Sequence, residues 1–158
     1  MKQNHQFRER GFTLIEVLVA LLVVTIGLIG MAGIQAAAVK YTKGAEGRNH
    51  AVQLSYDMLD RMRASQPSLQ TGTYTSASSF VTVACVRNFV SANAVQDQAD
   101  IAVWRNQIAC LLPAGQGRIE VGAPNAFGAF PVTISVRWSE DRITGGLGSY
   151  DYIARAQL

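Results

Sequence analysis

Arg10-Gly11-Phe12-Thr13-Leu14-Ile15-Glu16 leads from a basic start into a long apolar run, with one carboxylate at its threshold. From Val17 through Val39 no residue is charged, and Val17 to Ile34 is apolar or glycine apart from Thr25. About 20 mostly apolar residues, each rising ~1.5 Å along a helix, cross a bilayer, so this stretch is long enough to do so. Glu16 is the residue such a span does not need. An ionised carboxylate is costly in hydrocarbon, which implies that Glu16 is there for a partner.

Charge gives the span a direction. Lys2, Arg8 and Arg10 against Glu9 place +2 of the chain's formal +3 ahead of the apolar run. Cations before the run, and few immediately after it, keep the amino end cytoplasmic and send the rest across. The remainder carries little net charge, so the basic pI is a weak reason to infer a nucleic-acid partner. Of 158 residues, those outside the leader and span suffice for one small domain of about 100 residues or slightly more. Cys85 and Cys110 are the two cysteines and admit a single intramolecular pairing. In an oxidising compartment they read as a disulfide, stabilising by ~3 kcal/mol in the chain-entropy account.

The residues alone admit three readings of the amino terminus. Ala36-Ala37-Ala38 satisfies the small-x-small rule for a cleaved secretory signal, although the apolar run exceeds the usual ~7–15 residues of such signals. A plain single-pass anchor explains span and orientation but leaves Glu16 without a purpose. The third reading starts from Gly11-Phe12-Thr13-Leu14-Ile15-Glu16-Val17, which closely resembles the class III signal of type IV prepilins. The resemblance covers Lys2 to about Ala38. It implies that a membrane prepilin peptidase removes the leader after Gly11, that Phe12 becomes an N-methylated terminus, and that Glu16 is the fifth residue of the mature chain. Glu16 would then form an assembly salt bridge with the new amine of a neighbouring subunit, each neutralising the other's buried charge and setting lateral register. The plainer alternative is that Glu16 snorkels to the headgroups.

The resemblance also implies an α+β, type IV pilin-like architecture, with a long amino-terminal helix packed on a small antiparallel sheet and a second, short helix. Its parts would be a leader at 1–11, a transmembrane and assembly half-helix at 12–38, and an extracytoplasmic globular domain at 39–158. Periodicity agrees with this outline. Ala51, Val52, Ser55, Met58, Leu59 and Met62 form a stripe at helical spacing, and Asp57 and Arg61 pair at i, i+4. One helix from about Phe12 to Ala64 is expected, ended by Gln66-Pro67. Gly27, Gly30 and Gly33 interrupt its propensity, consistent with close packing, with local melting on assembly, or with the ordinary tolerance of membrane helices for glycine.

Beyond the helix, Ala64 to Ala84 is uncharged, and Thr71 to Ser79 is rich in Ser, Thr and Gly. This predicts an exposed connecting loop with a short strand at Phe80–Cys85. A second helix is expected over Asn93–Leu112, with Ile101, Trp104, Ile108 and Leu111 on its apolar face and Pro113-Ala114-Gly115 ending it. Trp104 there reads as core rather than as a ligand-stacking residue. Strands are predicted at Arg118–Val121, Pro131–Ser139 and Tyr150–Gln157, with Gly145 to Gly148 turning between the last two.

Met58 to Ser65, the Trp104 helix running into Leu111-Leu112-Pro113-Ala114-Gly115, and Val136-Arg137-Trp138 resemble the type IV pilus modification proteins, the PilV group of minor pilins. That resemblance implies a non-catalytic subunit of pilus initiation and assembly, located in the inner membrane with its globular domain in the periplasm and later on the pilus. The expected partners are other minor and major pilins, the prepilin peptidase and methyltransferase, the inner-membrane pilus assembly machinery, and lipid before assembly. A minor pseudopilin of a type II secretion system shares the leader and is the closest alternative.

A membrane-anchored or secreted enzyme has little to build on. His5 leaves with the leader and His50 stands alone, so no histidine triad or multi-histidine metal site can form after processing. Asp97 with Asp100, and Glu140 with Asp141, read as solvated surface acids. No cofactor or metal is expected. Lys40, Lys43, Arg48, Arg61 and Arg63 form a basic strip diluted by Glu46, Asp57 and Asp60, more suited to headgroups or neighbouring subunits than to nucleic acid.

Overall fold

Helix α1 (Leu14–Ala64) is 51 residues long in the computed structural model, which describes residues 11–140 and 148–158. Lys2, His5, Arg8, Glu9 and Arg10, of the expected leader, together with Asp141 and the Gly145 to Leu147 part of the expected turn, lie outside the described residues. The chain divides into two units, Met1–Lys40 and Tyr41–Leu158, and α1 contributes to both.

In the second unit, α1 buries Gly44, Ala51, Leu54, Ser55, Met58, Leu59 and Met62, the helical stripe that faces the core. Ser55 joins it without cost because its hydroxyl donates to the Ala51 carbonyl at 2.8 Å. After α1 come α2 (Gln66–Gln70), with Pro67 in its first turn, a 3₁₀ turn at Thr73–Ala77, and β1 (Val81–Thr82). Then follow α3 (Gln96–Leu111), β2 (Gln116–Val121), β3 (Pro131–Ser139) and β4 (Ser149–Gln157). The four strands form one antiparallel sheet in the order β1-β2-β3-β4. The result is the expected α+β, pilin-like arrangement of a long helix packed on a small antiparallel sheet, with shorter helices added.

Register determines how the core closes. Ile119, Ile134 and Ala154 stand in one cross-strand row, and Gly117, Val136 and Tyr152 in the next. The gap at Gly117 is filled by Trp104 from α3, whose ring carbons would lie 2.5 Å from any Cβ placed there. Its indole Nε1 donates to the Leu54 carbonyl of α1 at 2.9 Å. Trp104 thus ties helix to helix while plugging the sheet, and it is fully buried. A similar approach occurs at Gly47, where an added Cβ would meet Trp138 Nε1 at 3.4 Å.

Three expectations need correction. The uncharged segment after α1 is not an exposed loop: Leu69, Tyr74 and Ala77 are core residues, 3, 0 and 0 % exposed. Its serines and threonines turn the backbone, and these three apolar side chains fall on the inner side of the turns. The strand there shrinks to Val81–Thr82, because only these residues find partners, Gly117 and Gln116. On α3, Leu111 is 47 % exposed and Leu112 takes the inward place, since the helix ends at Leu111 and the extended backbone of Leu112 swings its side chain back.

Candidate functional site

The first unit, taken by itself, is a helix with no inside. Every described residue from Gly11 to Lys40 is exposed, its large apolar residues ranging from Val17 at 50 % exposure to Phe12 at 83 %. The segment is long and apolar enough to cross a membrane, and none of it is buried in the protein, unlike the core helix of a soluble domain. Thr25 does not break the apolar surface, because its hydroxyl donates to the Leu22 carbonyl at 2.8 Å. The helix runs unbroken through Gly27, Gly30 and Gly33, and a Cβ at any of the three would meet nothing within 4 Å.

The start of the helix has a local logic that the sequence reading passed over. Thr13 stands just ahead of Leu14, its carbonyl accepting from the amides of Glu16 at 3.1 Å and Val17 at 3.3 Å. Its hydroxyl also accepts from the Glu16 amide at 3.4 Å. Thr13-Leu14-Ile15-Glu16 therefore has the S/T-x-x-E form of a capping box, which was the available signal for where the helix begins. Glu16 occupies the first turn, where a negative charge suits the helix dipole. Its side chain is exposed, and no cation is paired with it among the described residues. Gly11 and Phe12 lie exposed just before this turn.

In the second unit, several charged groups pair with one another. Lys43 pairs with Glu46 at 2.8 Å, Arg63 with Asp60 at 2.6 Å, and Arg61 with both Asp57 and Asp100 at 3.0 Å. Arg48 lies over the Tyr150 ring. The basic strip is thus largely spent on internal contacts, and His50 faces Glu46 at 3.9 Å. Cys85 and Cys110 are joined, linking the segment after β1 to the last turn of α3. Among the described residues no cluster of three His, Cys, Asp or Glu side chains could hold a metal ion.

The acids read as solvated surface groups also need correcting. Asp97 is 6 % exposed and accepts hydrogen bonds from the hydroxyls of Ser65, Ser68 and Tyr74, so it holds the end of α1, α2, the 3₁₀ turn and the start of α3 together. Burial pulls its pKa upward, but those hydrogen bonds outweigh it and hold the carboxyl below the usual carboxylate range. Tyr74, buried beside Asp97, is pushed up to about 12. Asp100 bonds to Arg61, and Glu140, 6 % exposed, accepts from Trp138 Nε1 at 3.2 Å. These carboxylates are structural ties.

Residues 6–32 match the family model described as the prokaryotic N-terminal methylation motif, the type IV pilin signature. No curated protein and no solved structure matches the chain. That motif is the signature of type IV prepilins, which a peptidase processes, and proteins carrying it are in general structural subunits that associate with one another.

Proposed function

We propose that this protein is a minor pilin that acts by being assembled into a type IV pilus and takes part in initiating it. The observation that carries the reading is the first unit itself, a methylation motif on an apolar helix whose described residues are all exposed, with an acid in its first turn that has no paired cation among the described residues. In this account residues 1–11 are the leader, cut after Gly11 on the cytoplasmic side, and Phe12 is the methylated terminus. Residues 12–38 lie first in the inner membrane and then against other pilin helices, and 39–158 form the periplasmic domain.

Glu16 follows from the same physics. In hydrocarbon its charge has no water to face, and the amine created at Phe12 has the same difficulty. Docking two subunits with an axial offset brings the Glu16 of one to the amine of the other. A buried pair of this kind adds little net stability, but a mis-registered subunit leaves two charges unpaired, so it selects register. The apolar surface supplies attraction and the ion pair supplies position.

Intact mass and amino-terminal sequencing of the mature protein from its native membrane test this reading. Methylated Phe12 as the first residue supports it; a start at Met1 or Val39 refutes it. Affinity isolation of the cross-linked membrane protein then separates pilus subunits from those of a type II secretion system.

A further inference from the structure

A cleft of about 420 Å³ opens between α3 and the segment that follows β1, with Val83, Ala84, Phe89 and Ile101 among its apolar walls and Arg105 as its cation. No acidic residue lines it. Arg105 is half-buried, and its Nη2 donates to the Ser79 carbonyl at 3.0 Å. Its Nε is buried without an acceptor. Among the described residues it is the one part-buried Lys or Arg that lacks a carboxylate; Arg61, Arg118 and Arg137, similarly placed, each have one. Burial lowers the pKa of its guanidinium, with no acid to oppose the shift.

The opposite wall supplies an independent feature. β1 is the edge of the sheet, and its chain continues through Val83 and Ala84, whose main-chain groups make no hydrogen bond among the described residues. This edge is held in place: Asn106 clamps Val86 by accepting from its amide at 2.8 Å and donating to its carbonyl at 3.1 Å, and the disulfide anchors Cys85 beside it. Unpaired main-chain groups and a cation lining one apolar cleft are a preformed setting for an extended chain that brings a carboxylate.

We propose that this cleft binds an extended, acidic segment of another polypeptide, whose main chain pairs with the unpaired groups of Val83 and Ala84 on the side away from β2 while an Asp or Glu side chain meets Arg105. The free edge favours a polypeptide over a small carboxylate, which would use Arg105 and leave the edge idle. This interface belongs to the globular unit and is separate from docking through the amino-terminal helix.

The test uses the full chain in detergent micelles and two labelled, end-blocked pentapeptides, Val-Thr-Glu-Val-Thr and its Gln counterpart. Fluorescence anisotropy should give saturable binding of the Glu peptide, about tenfold or more tighter than the Gln peptide, and Arg105→Gln should abolish the preference. Amide NMR shifts should move at Val83 and Ala84. Equal binding of the two peptides, no saturable binding at millimolar concentration, unmoved Val83 and Ala84 amides, or equally tight binding of N-acetylglutamate amide would each overturn the proposal. The two-peptide comparison on the unaltered chain keeps it decidable even where Arg105→Gln folds poorly.

Discussion

The two ends of α1 make the same hydrogen-bonded helix from opposite kinds of sequence. From Leu14 to about Val39 apolar residues surround the whole circumference, and every side chain is exposed. From Tyr41 to Ala64 apolar residues keep to one stripe, and Ala51, Leu54, Met58, Leu59 and Met62 are buried while Lys43, Asp57, Asp60 and Arg63 face outward. Backbone geometry is common to both; what differs is the medium each pattern requires. A stripe suits a helix lying on a protein core with water behind it, whereas an all-round apolar surface must be covered from outside the chain.

The sharpest way to break this comparison is at Glu16. Glu16→Ala should leave membrane insertion intact and reduce incorporation into sheared filaments by about tenfold or more, because a neighbour's amine would be left without its counter-charge. Unchanged incorporation, read by immunoblot of the filament fraction, would remove the pairing role. The next largest effect contrasts the two halves directly. Met58→Ala should destabilise the globular unit by about 2–5 kcal/mol, whereas Leu22→Ala should leave its thermal midpoint unmoved. A matching loss from Leu22→Ala would mean that the first half is packed against its own chain.

Loss of the Cys85–Cys110 bond comes next. Cys85→Ser with Cys110→Ser should cost about 3 kcal/mol in denaturant unfolding, with the looseness concentrated in the segment after β1. The smallest effect concerns Asp97. Its folded pKa is depressed, so its contribution is complete above the unfolded value of ~3.9 and fades as pH falls through the lower folded value. Asp97→Asn should cost about 1–3 kcal/mol at neutral pH and flatten the acid limb of a stability curve. An acid limb unchanged by the substitution would assign it to other groups, Asp151 beside Arg137 being the first candidate, since its pKa is also lowered.

Much of the outline was readable because the signals were local. β3 was expected at Pro131–Ser139 and lies there, since Val132, Ile134, Val136 and Trp138 alternate strictly and one face is buried. Two cysteines admit one bridge. The segment after α1 failed because composition reports the backbone's preference for turning and says nothing about which way Leu69, Tyr74 and Ala77 face. Asp97 failed for a related reason: its three hydroxyl partners, Ser65, Ser68 and Tyr74, stand 32, 29 and 23 residues away in the chain.

The amino acids by themselves determined the methylation motif, the apolar run with its single acid, and the helix and strand periods, because each depends on neighbours within a few residues. Tertiary structure alone decided that Trp104 fills the space above Gly117, that Asp97 is a buried tie, and that Arg105 is left in a cleft without an acid. Those outcomes depend on which distant side chains arrive at the same place, and so on register and packing between elements, which no local pattern encodes.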